Sequence, residues 1–165
     1  MEKQLFNSAY GLKMTLPQVV AEIVRFMRAE PQWKYKVMIG SDSERLADGR
    51  ADFVSAVVVH RVGNGGRYFW RGAQLGKFHT LRDRIIREVL LSLELGKQTL
   101  LELEKLTLQA NDAPAWNFEI HLDVGENGET KTMIQEVVGM VRAHNFEAIT
   151  KPGSYAASNV ADRHV

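Results

Sequence analysis

Two aspartates and a glutamate hold the chemistry that stands out in this chain. Asp42 lies in Ile39-Gly40-Ser41-Asp42-Ser43-Glu44 and Asp123 in His121-Leu122-Asp123-Val124-Gly125. Each follows an apolar run, which places it at or just past the C-terminal end of a central strand. In open α/β sheets that edge is where ligands bind. Gly40 and Gly125 flank the two acids and allow a bulky ligand to approach closely. Glu88 follows Ile85 by three residues and Leu81 by seven, so it borders the apolar stripe of a helix. Packed on the sheet, that helix aims Glu88 at the strand carrying Asp42. Three carboxylates within about 5 Å repel one another and need protons or divalent cations to coexist. Ligands that are all oxygen suit magnesium or manganese. Each acid also has a structural alternative: Asp42 capping a turn with Ser41 and Ser43, Asp123 serving a tight turn, Glu88 pairing with Arg84 one helical turn earlier.

Composition narrows the rest. The 165 residues are 45% hydrophobic and 25% charged with a net charge of +1, which describes a globular domain with no global bias toward a charged partner. The absence of cysteine excludes disulfide scaffolds, thiolate metal sites and cysteine nucleophiles. No apolar run approaches the roughly 20 residues of a membrane helix, and Met1-Glu2-Lys3-Gln4 does not open a signal peptide. A cytoplasmic location without membrane contact is expected. Gly76-Lys77 and Gly96-Lys97 lack the rest of a phosphate-binding loop, no Gly-x-Ser-x-Gly elbow occurs, and His60, His79, His121, His144 and His164 form no zinc-protease pattern. Asp123 to Thr130 has neither the spacing of a calcium loop nor the second lobe that an actin-like ATPase requires.

The positioning elements follow from periodicity. Residues 1–34 read as a leader and a helix opened by the capping box Thr15-Leu16-Pro17-Gln18, with Val19, Val20, Ile23, Val24 and Met27 as its apolar stripe and Glu30-Pro31 as its stop. Lys36 to Gly40, Phe53 to Val62 and Arg67 to Leu75 read as strands, the last two joined through Gly63-Asn64-Gly65-Gly66. A second capping box, Thr80 to Asp83, opens a helix with Leu81, Ile85, Ile86, Val89 and Leu93 inward. Gly96-Lys97 is expected to break it before a leucine-rich piece, Leu100 to Leu108. A loop at Asn111-Asp112-Ala113-Pro114, a strand from Phe118 to Val124, a helix from Met133 to Val141, a strand from Phe146 to Lys151 and a small-residue helix within Ser154 to His164 complete the chain. The expectation is one domain over 1–165, α/β in class, with a five-stranded mixed sheet, helices on both faces and an extra N-terminal helix.

The order βββ-α-β-α-β with these acids resembles the ribonuclease H-like fold. More narrowly, Ile39-Gly40-Ser41-Asp42-Ser43, His121 to Gly125, Glu136 to Val141 and Lys151-Pro152-Gly153-Ser154-Tyr155-Ala156-Ala157-Ser158 resemble the YkuK-type family, a bacterial family classed as ribonuclease H-like. The resemblance spans about Tyr35 to the C-terminus. It implies phosphodiester hydrolysis with two magnesium or manganese ions, held by Asp42, Glu88, Asp123 and Asp162, the catalytic and metal-binding set. Such ions activate water and stabilise the departing oxygen.

Charge along the chain points to where a polymer would lie. From His60 to Arg87 there are seven basic residues against the single acid Asp83, interleaved with Tyr68, Phe69, Trp70 and Phe78. Arg71, Lys77 and Arg84 are the candidate contacts to RNA, DNA or a hybrid, and the aromatic residues are candidates for base stacking. The rival reading is a non-catalytic ribonuclease H-like module that binds nucleic acid or a protein, with Leu100 to Leu108 as a face for partner binding or homodimerisation.

Overall fold

In the computed structural model, which describes residues 4–108 and 114–165, a seven-stranded mixed sheet separates two unequal helical layers. The strands are β1 (Phe6–Ser8), β2 (Lys13–Met14), β3 (Tyr35–Arg45), β4 (Ala51–Arg61), β5 (Gly66–Leu75), β6 (Trp116–His121) and β7 (Glu147–Ile149). The helices are α1 (Leu16–Ala29), α2 (Leu81–Thr107), α3 (Ile134–Ala143), a π-helix (Ala156–Ala161) and a last turn, α4 (Asp162–His164). The sheet order is β2-β1-β5-β4-β3-β6-β7. Strands β3, β4 and β5 form an antiparallel meander, and β6 and β7 continue it in parallel on the far side of β3.

Alternation along the central strands separates the two faces. Tyr35, Val37 and Ile39 of β3, Val57 and Val59 of β4 and Ile120 of β6 pack with α1, α2 and α3. Met38, Val54, Ala56 and Val58 face the opposite side and pack with Ala156, Val160 and Ala161. Asp42 continues the Met38–Gly40 face, whereas Ser41 and Ser43 continue the face beneath α2.

Local chemistry sets the ends of the helices. Thr15 accepts from the Gln18 amide at 3.4 Å while the Gln18 side chain accepts from the Thr15 amide at 2.8 Å. At α2 only half of the expected box forms. Thr80 accepts from the Asp83 amide at 3.0 Å, and aspartate is one methylene shorter than the glutamate that would reach back. The turn after β4 forms where glycines demand it, with Gly63 at φ 84° and Gly65 at φ 81°.

The sheet has seven strands where five are expected. The two extra ones, β1 and β2, occupy the leader; at three and two residues they are too short to show a period. Gly96-Lys97 does not break α2, which runs 27 residues without interruption. Gly96 sits against β6, where a Cβ would come 2.8 Å from Ile120 Cδ1, so glycine serves close helix–sheet packing there. The leucine-rich piece is therefore the end of α2, with Leu103 in the core and Leu101 and Leu108 exposed. The tail is helical as expected, with a π-helix for most of its length. Strand β6 stops at His121, before Asp123. The loop expected at Asn111 to Pro114 lies outside the described residues except for Pro114. Among the described residues, no helix is long and apolar enough to cross a membrane.

Candidate metal centre

Asp42, Glu88 and Asp123 each place a carboxylate oxygen within 4.8 Å of the other two. The sheet supplies two of them and the helix on one face the third. Asp42 is near the end of β3, Asp123 is two residues past β6, and Glu88 descends from α2. Register explains the first pairing: β3 and β6 are parallel, with Gly40 opposite His121. The α2 contribution is fixed by hydroxyls. Ser92, one turn after Glu88, donates to Ser41 Oγ at 2.8 Å, and Ser41 Oγ in turn lies 2.8 Å from Ser55 Oγ.

Asp162 approaches from the other layer, near enough to help raise the pKa of Asp42, but it is exposed and lies outside the three-acid cluster. It is delivered by the π-helix, which packs directly on Gly40. A Cβ at Gly40 would meet the Ala157 nitrogen at 2.4 Å and the Ala156 carbonyl carbon at 2.6 Å. Only glycine lets these two backbones approach so closely.

Both Asp42 and Glu88 are buried, at 7% and 5% exposure. Burial pushes Asp42 up to about 8, assisted by the Asp123 charge and by hydrogen bonding to Asp162 and Asp123, against the Ser43 amide. Burial likewise holds Glu88 well above the usual carboxylate range, aided by the charge of Asp42 and opposed by the Ser43 hydroxyl. These are the shifts expected of buried carboxylates crowded against one another. An all-oxygen set of this kind fits a hard divalent cation such as magnesium or manganese.

The expected ion pair between Arg84 and Glu88 is indirect. Arg84 Nη1 donates to Ser43 O at 3.0 Å and to Ser43 Oγ at 3.2 Å, and Ser43 Oγ donates to Glu88 Oε2 at 2.8 Å. On the opposite flank Asp123 Oδ1 accepts from Lys151 Nζ at 2.9 Å and from Ser158 Oγ at 3.1 Å. His121 is a positioning group: its Nδ1 accepts from the Ala156 amide at 3.0 Å while Nε2 lies 3.2 Å from Glu119 Oε1. Burial lowers its pKa, consistent with a neutral ring whose Nδ1 is free to accept.

Sequence reasoning missed Ser43, Ser158 and Lys151. Lys151 had a usable signal, because a strand running parallel beside β6 must end next to Asp123.

The basic block is divided. Arg71 is half-buried, with its guanidinium 4.7 Å from the Phe6 ring centre, and burial lowers its pKa. Arg84 is held by Ser43. Lys77 is exposed and lines an open cavity of about 370 Å³ with Arg82, Arg87 and Phe78. Trp70 stacks on His164 at 3.8 Å between ring centres, and Tyr68 stacks on Trp70 at 5.6 Å, so these rings clamp the chain end beside Asp162.

The model of the ribonuclease H-like family matches residues 18–165. The chain is similar to the uncharacterized protein YkuK of Bacillus subtilis (strain 168), with 31% identity over 165 residues covering 96% of this chain and 95% of that protein. No solved structure gives a significant match.

Proposed function

The chain belongs to the ribonuclease H-like family, and from that premise we propose that it is a divalent-metal-dependent nuclease hydrolysing nucleic-acid phosphodiester bonds. The observation that carries the reading is the convergence of Asp42, Glu88 and Asp123 to within 4.8 Å. In this reading these three acids and Asp162 hold the metal and are the catalytic set. Bound there, magnesium or manganese supplies the positive charge that activates water and neutralises the departing oxygen of the phosphodiester.

The remaining residues position and protect this arrangement. Ser43 orients Glu88, Arg84 holds Ser43, and Ser158 and Lys151 fix one oxygen of Asp123. His121, by accepting from Ala156, anchors the segment that carries Asp162. A phosphate backbone would reach the centre across the Lys77–Arg87 surface at the start of α2, where Lys77 is the most open of the expected contacts and Arg71 and Arg84 are the more enclosed.

A cleavage panel of single-stranded, duplex and hybrid RNA and DNA with manganese, run beside Asp123→Asn, tests the proposal. Cleavage by the wild type that vanishes in the variant is the expected outcome. Retention of nucleic acid without cleavage by either protein would favour the binding-module reading.

A further inference from the structure

The acidic cluster already has a cation built against it. Lys151 follows β7 and is fixed to the end of β6 by its backbone: its amide donates to Val124 O at 2.8 Å, and the Leu122 amide donates to Ile149 O at 2.8 Å. Its stem lies on Gly125, where an added Cβ would come 2.8 Å from Lys151 Cβ. Only the end of the side chain is left to move. It places the ammonium 2.9 Å from Asp123 Oδ1. Among the described residues, no other lysine or arginine makes an ion pair with any of the four acids.

Charge balance gives this placement a meaning. Once a bound divalent ion has displaced the protons of Asp42 and Glu88, the four carboxylates are matched by that ion, the ammonium of Lys151 and the guanidinium of Arg84, which acts on Glu88 through Ser43. A second divalent ion would make the site net positive before any substrate arrived. Asp123 Oδ1, moreover, already takes both Lys151 and Ser158, which leaves Oδ2 outside these two bonds.

From this juxtaposition we propose that Lys151 supplies the positive charge a second metal ion would otherwise bring, so that the protein without substrate binds one divalent ion and not two. The inference rests on the metal centre proposed above and narrows its composition. Lys151 acts through Asp123 and is a positioning residue.

Counting manganese ions by electron paramagnetic resonance and by calorimetric titration, on the full chain without nucleic acid, tests it. Lys151→Met keeps the stem on Gly125 and removes the charge; Lys151→Arg keeps the charge. Folding of both variants is checked by circular dichroism. One ion on the wild type, two on Lys151→Met and one on Lys151→Arg are expected. Two ions on the wild type would overturn the role of Lys151 while leaving the nuclease reading intact, and this count stands even if a variant fails to fold. A count of one on all three proteins would equally overturn it. No manganese on the wild type would bring down the metal centre itself.

Discussion

Ser43 and Glu88, 45 residues apart in the chain, are joined by a 2.8 Å hydrogen bond from the serine hydroxyl to Glu88 Oε2. The same serine donates its amide to Asp42 Oδ1 at 2.8 Å. One small residue thus ties together a carboxylate from the strand and one from the helix, which reach the sheet edge from opposite faces. An alanine at this position keeps the amide bond and loses the hydroxyl.

Ser43→Ala is therefore expected to weaken manganese binding by about 10- to 100-fold, the usual cost of losing an outer hydrogen bond to a ligand. Arg84 loses one of its two acceptors in the same change. Titration calorimetry reads the affinity, and an unchanged constant would show that Glu88 is oriented by packing alone.

The raised carboxyl groups set a pH dependence. Asp42 has an ordinary value of 3.8 and is pushed up to about 8 in the folded chain, so between those limits the folded state binds more protons than the unfolded one. The stability this contributes is complete below 3.8 and is lost as pH rises toward about 8. Glu88 shifts in the same direction. His121 shifts the other way, so its contribution is present above 6.5 and is lost as pH falls below it. In chelator, the thermal midpoint is expected to fall between about pH 6.5 and about pH 8.5, where His121 no longer opposes the acids. Magnesium is expected to restore it more at the higher pH, since a ligand bound only by the folded state stabilises it. Asp42→Asn is expected to flatten the slope and to remove much of the magnesium effect. A midpoint indifferent to both pH and magnesium would contradict the electrostatic account.

Gly40→Ala tests how Asp162 is delivered. The added methyl would meet backbone atoms of Ala157 and Ala156 at 2.4 and 2.6 Å, and backbone yields less readily than a flexible side chain. Overpacking of this kind costs about 1–3 kcal/mol. Hydrogen exchange over 154–165 is expected to rise along with the loss of stability, and metal affinity is expected to drop through Asp162. Faster exchange elsewhere with a quiet tail would place the strain in β4 instead.

Much of this arrangement is legible in the chain because alternation is a strong signal in long strands. Asp42 and Asp123 could be assigned to strand ends from the apolar runs before them, and Glu88 to a core-facing position from its spacing to Ile85. What stayed hidden depends on contacts made at a distance. Strands β1 and β2 carry too few residues for a period and exist by pairing with β5 and with each other. Gly96 reads as a helix breaker until Ile120 is found beneath it. Arg84 reads as the partner of Glu88 by its spacing, yet Ser43 intervenes. Tyr68 and Trp70 read as open faces for bases, and His164 covers Trp70. In each case the local reading is sound chemistry redirected by a neighbour the local sequence does not name.

The π-helix before Asp162 turns the last acid into a question of counting. Wider winding admits one residue more than an α-helix would use for the same path, and each residue of an α-helix advances the side chain by about 100° around the axis. Were the same residues of Ala156–Ala161 wound as an ordinary α-helix, the aspartate would swing about 100° aside. Winding here is as strict as residue type: a tail of the same residues in ordinary helical winding would keep all its acids and still leave Asp42 without its companion.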